Sequence, residues 1–96
     1  MFLDKVIDLT EERFEKIKKS HPEVILDLMN EFEATIVTPD FVIIKPNQYK
    51  LVKKIMYKGK RKWLAVIVIW DKSINRYWIV TAYISRLPIK GEIIYG

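Results

Sequence analysis

The sequence predicts an α+β domain in which two N-terminal helices pack on one face of an antiparallel sheet of four to five strands. Apolar residues recur at helical spacing between residues 11 and 37. From Phe41 onward the period changes to that of strands, with β-branched and aromatic runs separated by turn residues. Because 96 residues suffice for one modest core, residues 1–96 are predicted to form a single domain.

The first helix is predicted over residues 11–19. Thr10 is a suitable N-cap, because two glutamates follow it in the first turn, where the helix dipole favours anions. Phe14 and Ile17 lie at helical spacing, and we expect both to face the core.

The second helix is predicted to follow the first after a short break. Pro22 suits the first position of a helix, which makes His21 the candidate N-cap. The helix is expected to end near Val37, because the turn sequence "TPD" follows. Its inward positions are predicted to be Ile25, Leu28, Met29, Phe32 and Ile36.

The strands are predicted from alternating or continuous apolar runs. They are expected at residues 41–45, 50–58, 62–70 and 76–86, with a short edge strand within 88–95. Residues 6–9 are expected to form either a short opening strand or an extended arm. The run "KWLAVIVIW" is apolar on both faces and is predicted to be the central strand. This order predicts an antiparallel meander that follows the helices.

Strict alternation along the last long strand divides its side chains between two faces. One set is expected to pack against the helices: Trp78, Val80, Ala82 and Ile84. The other set is expected on the opposite face, where its hydroxyls form a stripe: Tyr77, Ile79, Thr81, Tyr83 and Ser85. A solvated sheet face often carries such residues, so the stripe is also compatible with a purely structural role.

Charge is distributed unevenly along the chain. Up to Ile44 there are five Lys and Arg against ten Asp and Glu, whereas from Lys45 onward there are twelve against two. This asymmetry is typical of a surface that binds phosphate-rich partners. The alternative is that lysines keep an aggregation-prone sheet soluble. Cations beside the hydroxyl stripe could hold phosphate, and we expect this of Lys53, Lys54, Lys58 and Arg86.

His21 is the only histidine and has suitable chemistry for a general base. A helix N-terminus disfavours the imidazolium, so the neutral ring is expected near pH 7. Such a base could take the proton of a ribose 2′-hydroxyl while a lysine or arginine stabilises the phosphate, and no metal is needed. The alternative interpretation is that His21 only caps a helix.

Several other classes of protein are disfavoured by composition. The chain has no cysteine, which removes disulfides and thiolate chemistry and fits a reducing cytoplasm. Its three glycines form no phosphate-binding loop, and its carboxylates form no metal-binding pattern, so neither cofactor nor metal is expected. The longest apolar run has eight residues and the N-terminus does not resemble a signal peptide, so no membrane contact is expected.

Longer stretches of the chain resemble one known group of domains. They are "LTEERFEKIKKSHPEV", "EATIVTPDFVI" and "WIVTAYISR" with "KGE" after it. Their order and spacing resemble the phage-associated subgroup of the barnase, EndoU, colicin and RelE-like nucleases. Members of that subgroup often contain Leu-Thr-x-x-Arg-x-x-His-Ile, His-Pro-Glu, Glu-Thr-Ile-x-x-Pro-Asp and Ile-Thr-Ala-Tyr. The resemblance covers residues 9–95.

The resemblance implies roles for individual residues. His21 matches the histidine of His-Pro-Glu, and Arg13 matches the arginine of the first helix. Thr81 and Tyr83 match the motif of the final strand, and Lys53 or Lys54 occupies the basic position of the middle strand. The chain departs from the pattern at Lys16, because many members have a histidine there. If that histidine carries the proton, this chain would bind RNA without cutting it.

Together these observations predict a small, metal-independent RNA-cleaving domain of the kind found in toxins and mobile elements. His21 is expected to act as base or acid, Thr81 and Tyr83 to position the phosphate, and the basic residues to bind RNA, with transfer RNA as one candidate. An immunity or antitoxin protein is a further expected partner. Two alternatives remain: an RNA-binding module without catalysis, and a toxin–antitoxin type partner protein that docks through its acidic helices.

Overall fold

The computed structural model describes residues 7–71, 73, 76–89 and 91–95, and it has the predicted α+β architecture. Its elements are β1 (Ile7–Asp8), α1 (Glu11–Ser20), α2 (Pro22–Leu26), α3 (Met29–Val37), β2 (Phe41–Lys45), β3 (Gln48–Tyr57), β4 (Lys60–Asp71), β5 (Arg76–Ser85) and β6 (Glu92–Tyr95). The strands form one sheet in the order β1-β5-β4-β3-β2-β6. Strands β2 to β5 form the predicted antiparallel meander, and β1 adds a short parallel strand at the edge beside β5.

The helices begin where the sequence predicts, but the second predicted helix is divided in two. The Thr10 side chain caps α1 by accepting a hydrogen bond from the backbone N–H of Arg13 at 3.2 Å. The expected helix after Pro22 ends at Leu26, because Leu28 leaves helical geometry with φ −123° and ψ 28°. A new helix then begins at Met29. None of the helices in the described part of the chain is long and apolar enough to cross a membrane.

The main core lies between the three helices and one face of the sheet. The helices contribute Ile17, Val24, Ile25, Leu28 and Phe32, and the sheet contributes Val42, Leu51, Ile55, Leu64, Val66, Val68, Tyr77, Ile79 and Ala82. Met29 and Ile36 are partly buried against this core. The helices therefore cover one face of the sheet, as the sequence predicts.

The strand β5 corrects the predicted assignment of side chains to faces. Ile67 pairs with Thr81, but Val68 pairs with Ile79, so Val80 is an extra residue that forms a β-bulge. Before the bulge, Tyr77 and Ile79 therefore face the helices and are buried, whereas Trp78 and Val80 are not in the core. The prediction was wrong for these four residues.

Beyond the bulge, the predicted assignment holds. Ala82 is buried in the core and Ile84 packs against it, whereas Tyr83 packs against residues of the opposite face. The bulge thus separates Tyr77 from the predicted hydroxyl stripe, which begins at Thr81.

The face opposite the helices carries a second, smaller cluster formed by Ile43, Val52 and Ala65. Ile89 packs against this second cluster. At Gly91 a side chain would clash with Ile43, so the backbone approaches the sheet closely there. The connection from β5 to β6 therefore crosses this face, which is partly covered rather than open.

The hairpin between β3 and β4 ends in a tight two-residue turn. Tyr57 pairs with Lys60, and the two residues between them have positive φ, 52° at Lys58 and 77° at Gly59. This is the geometry of a turn that matches the twist of the flanking strands. The turn places several of the chain's lysines at one end of the sheet.

Candidate functional site

His21 joins α1 to α2 through its backbone. Its N–H donates to the Ile17 carbonyl at 2.7 Å, and its own carbonyl accepts from the N–H of Val24 at 3.1 Å. His21 occupies the N-cap position of α2 as predicted, yet its side chain makes no capping hydrogen bond. The imidazole is 37% exposed, so it is available for contacts outside the helix junction.

Two side chains lie against the His21 ring. Nδ1 is 3.8 Å from Oε1 of Glu23, which is long for a hydrogen bond but places a carboxylate on one side of the imidazole. The ring centroid is 6.3 Å from that of Tyr83, with the planes tilted by 46°. The structure therefore brings together His21, Glu23 and Tyr83. Glu23 was missed by the sequence prediction, although it lies only two residues after His21.

Tyr83 reaches His21 because of its place near the edge of the sheet. Among the described strands, β1 pairs with β5 only at Tyr77 and Trp78, and α1 packs beside β5. Thr81 lies on the same face as Tyr83, two residues earlier, which corresponds to roughly 7 Å along a strand. Thr81 and Tyr83 are thus neighbours, as predicted, and Tyr83 is the one in contact with His21.

Lys53 and Lys54 lie on opposite faces of the sheet. The ammonium of Lys53 donates to the Thr38 carbonyl at 3.0 Å, at the end of α3, and lies 3.8 Å from Asp40. Lys54 alternates to the face of the second cluster, and its side chain pairs with no described carboxylate. Of these two predicted phosphate ligands, Lys54 is therefore the one whose ammonium is available to a ligand.

Lys54 and Arg86 lie towards the same end of the sheet, at different distances from His21. Lys54 pairs with Trp63, which pairs with Ser85, so two strand spacings or about 10 Å separate Lys54 from β5. Arg86 follows Ser85 directly and is exposed. The Ser85 hydroxyl donates to the Leu87 carbonyl at 2.6 Å, which shapes the turn around Arg86.

Arg13 lies far from the contact between His21 and Tyr83. It is in the first turn of α1, eight residues before His21, or about 12 Å along the helix axis. Arg13 lines a cavity of about 350 Å³ together with Trp78 and Val80. The structure does not bring Arg13 together with His21.

The end of the β3–β4 hairpin is strongly basic. Five cations lie there, and none forms an ion pair with a described carboxylate: Lys54, Lys58, Lys60, Arg61 and Lys62. The ring of Tyr57 has the ammonium groups of Lys58 and Lys62 at 5.3 and 5.5 Å from its centroid. This unpaired charge is the electrostatic feature that a polyanion would contact.

Tyr57 lies on the helix-covered face of the sheet and is hydrogen-bonded to the helical layer. Its hydroxyl donates to Oδ2 of Asp27 at 2.6 Å, and this hydrogen bond is the main reason that the pKa of Tyr57 is raised to about 12. Asp27 follows α2, so the bond also links the division between α2 and α3 to the basic hairpin. Among the described residues, His, Asp and Glu form no group of three or more that could hold a metal ion.

No family model, curated protein or solved structure matches the chain. The resemblance to the barnase, EndoU, colicin and RelE-like nucleases therefore stays a prediction that rests on the motifs alone.

Proposed function

We propose that the chain binds RNA and cleaves it without a metal ion, with His21 as the proton-transferring residue. The observation that supports this proposal is the environment of the His21 ring. It is free of a capping role, partly exposed, flanked by the Glu23 carboxylate and 6.3 Å from Tyr83. A partly exposed imidazole with a carboxylate and a tyrosine ring beside it is an arrangement suited to proton transfer.

The proposed reaction is an attack of the ribose 2′-oxygen on the adjacent phosphorus. His21 takes the 2′-hydroxyl proton, the bond from phosphorus to the 5′-oxygen breaks, and the departing oxygen takes a proton from water. The hydroxide that remains accepts the proton from the His21 imidazolium, which restores the base. Tyr83 and Thr81 position the phosphate from β5, and Arg86 offsets the charge that develops on its oxygens. The Glu23 carboxylate, 3.8 Å from Nδ1, offsets part of the positive charge that the imidazole gains.

The basic hairpin supports RNA as the ligand. Phosphate contacts by Lys and Arg supply most of the sequence-independent affinity of proteins for nucleic acids. The unpaired cations at the end of β3 and β4 provide this charge, and Lys54 projects on the same face of the sheet as Tyr83. The ribose 2′-hydroxyl that the proposed reaction needs selects RNA over DNA.

The test is incubation of the purified protein with labelled RNA in the presence of a chelator. The proposal predicts fragments that end in a 2′,3′-cyclic phosphate and a 5′-hydroxyl. An RNA that carries a single 2′-deoxynucleotide at the cleaved position should stay intact there. Absence of cleavage at any RNA concentration, or cleavage that stops when the chelator is added, would contradict the proposal.

A binding module without catalysis is the second candidate function. It is favoured by the placement of the lysines, because Lys53 is engaged by α3 and Lys54 lies two strands away from β5. Only the basic surface is needed for this function. RNA affinity without any cleavage, in a protein whose His21→Ala variant binds equally well, would support it.

A further inference from the structure

We propose that the face of the β3–β4 hairpin turned away from the helices is a separate binding site for an unpaired RNA strand. The inference rests on the proposed RNA binding and specifies which part of the ligand is bound, and where. It concerns affinity rather than the chemistry at His21.

The site consists of four side chains on two paired strands. Lys54 lies opposite Trp63, and Met56 lies opposite Arg61, so the two cations occupy one diagonal and the two apolar side chains the other. Directly opposed side chains in such a pair have Cβ atoms about 5 Å apart. A groove of about 310 Å³ lies here, lined by Lys54, Ile55, Met56 and Arg61.

The cations of this groove are free to bind a ligand. Asp40 is the acidic residue beside Lys54, but its Oδ2 accepts the backbone N–H of Lys54 at 2.7 Å, and its Oδ1 lies 3.8 Å from the ammonium of Lys53. The carboxylate is thus directed to other groups. Neither the Lys54 ammonium nor the Arg61 guanidinium forms an ion pair within the described part of the chain.

The apolar side chains distinguish this groove from a simple patch of charge. Met56 is 64% exposed near the end of β3, and Trp63, beside the groove, packs against the second cluster with part of its surface accessible. Single exposed apolar residues are common, but this one is next to both cations, two residues after Lys54 and opposite Arg61. Alternating cations and apolar surfaces match a chain of phosphates and base faces.

An unpaired strand fits this arrangement better than a duplex. In a duplex the base faces are stacked inside the helix, so Met56 and Trp63 would gain no apolar contact from it. An unpaired strand offers both a phosphate and an exposed base face at each nucleotide. Lys54, Trp63 and Ser85 form a row across the sheet to β5. The bound RNA strand would continue along this row towards Tyr83.

The first experiment measures RNA affinity as a function of salt for a double variant, Lys54→Gln with Arg61→Gln. Each single-strand phosphate contact contributes about 0.7 to the slope of log affinity against log salt, so the slope should decrease by about 1.4. The matched control is Lys19→Gln with Lys45→Gln, which removes the same charge from two exposed positions outside the hairpin. An equal slope for the double variant and the control would overturn the inference.

A second variant tests the apolar part of the groove. Met56→Ser should weaken the binding of single-stranded RNA several-fold while the salt slope stays unchanged, and duplex binding should not change. The control is Leu26→Ser, because Leu26 on α2 is exposed to the same degree, 67% against 64%. Equal effects of the two substitutions would contradict the assignment of Met56 to the site.

The identity of the ligand is tested by competition. Single-stranded RNA should displace a labelled strand at lower concentration than a duplex of the same sequence or polyglutamate of equal charge. Tighter binding of the duplex, or equal competition by polyglutamate, would overturn the inference while leaving cleavage at His21 untouched. Failure of the wild-type protein to bind any RNA at low salt would instead overturn the proposed function itself.

Discussion

Lys53 and Lys54 are neighbours in the chain, yet one holds the end of α3 and the other is free on the opposite face of the sheet. The Lys53 ammonium donates to the Thr38 carbonyl at 3.0 Å, beside Asp40, where it stabilises the helix C-terminus. Asp40 also accepts the backbone N–H of Lys54 at 2.7 Å, and the Lys54 side chain forms no ion pair with any residue that the structure describes. The two lysines of this pair thus lie in different environments on opposite faces of the sheet.

This division predicts opposite outcomes for two equivalent substitutions. Lys53→Met should lower the free energy of unfolding by about 1 kcal/mol, because a partly buried charged hydrogen bond is lost. Lys54→Met should leave the free energy of unfolding within about 0.5 kcal/mol of the wild type, because its side chain contacts solvent. Urea unfolding of both variants, together with RNA titrations, measures the difference. If Lys53→Met reduces RNA affinity more than Lys54→Met does, the assignment of the two faces is incorrect.

The β-bulge at Val80 predicts a large difference between adjacent positions of β5. Ile79 is only 2% exposed and belongs to the main core, so Ile79→Ala should cost about 2–5 kcal/mol of stability. Val80→Ala should cost much less, because the extra residue of the bulge lies outside the core. Thermal melts of the two variants measure this. A larger loss for Val80→Ala would mean that strict alternation continues through the strand.

The bulge at Val80 could not be predicted from the sequence. The run "RYWIVTAYIS" contains no glycine or proline to indicate a bulge, so alternation is the natural prediction for it. The choice of Tyr77 and Ile79 as core residues depends on packing against helices that are distant in the chain. The order of helices followed by strands, the cap at Thr10 and the strand β2 need only local signals and were predicted correctly.

The division of the second predicted helix has a similar cause. The apolar positions from Ile25 to Ile36 suit one continuous helix as well as two. The break lies at Asp27 and Leu28, and the Asp27 carboxylate accepts the Tyr57 hydroxyl thirty residues later in the chain. Such a distant partner leaves no local signal. Glu23, in contrast, could have been predicted as a neighbour of the imidazole, because it lies only two residues after His21 in the chain.

The hydrogen bond between Tyr57 and Asp27 predicts the ionisation of one tyrosine. The pKa of Tyr57 should be about 12, and Asp27→Asn should return it towards the ordinary value of 10.0. Ultraviolet absorbance titration of the wild type, with Tyr57→Phe subtracted to isolate this phenol, measures the shift. A Tyr57 pKa near 10 in the wild type would show that the hydrogen bond does not form in solution.

The same bond has a consequence for stability at high pH. Because the pKa is raised in the folded chain, the contribution of Tyr57 to stability is complete below pH 10 and is lost as the pH rises towards 12. Denaturant midpoints measured across this interval should fall more steeply for the wild type than for Tyr57→Phe. Parallel curves for the two proteins would contradict the predicted coupling between Tyr57 ionisation and stability.

Lys16 tests the resemblance to the nuclease group. Its ammonium is 3.4 Å from Glu12 on the exposed side of α1, whereas Glu23 and Tyr83 lie beside His21. If Glu23 and Tyr83 are enough to support proton transfer by His21, Lys16→His should leave the cleavage rate unchanged. It should also reduce stability by at most about 0.5 kcal/mol. Single-turnover cleavage assays compare the two proteins. Activity that appears only in Lys16→His would mean that this chain lacks a catalytic partner.

The most direct test of the proposed function is the cleavage rate of His21→Ala, measured in single turnover with a chelator present. Loss of a general base should slow cleavage by about a hundred- to ten-thousand-fold. RNA affinity and the melting temperature should remain close to those of the wild type, because the His21 side chain caps no helix. A variant that cleaves at the wild-type rate with both of these properties intact would contradict the assignment of proton transfer to His21.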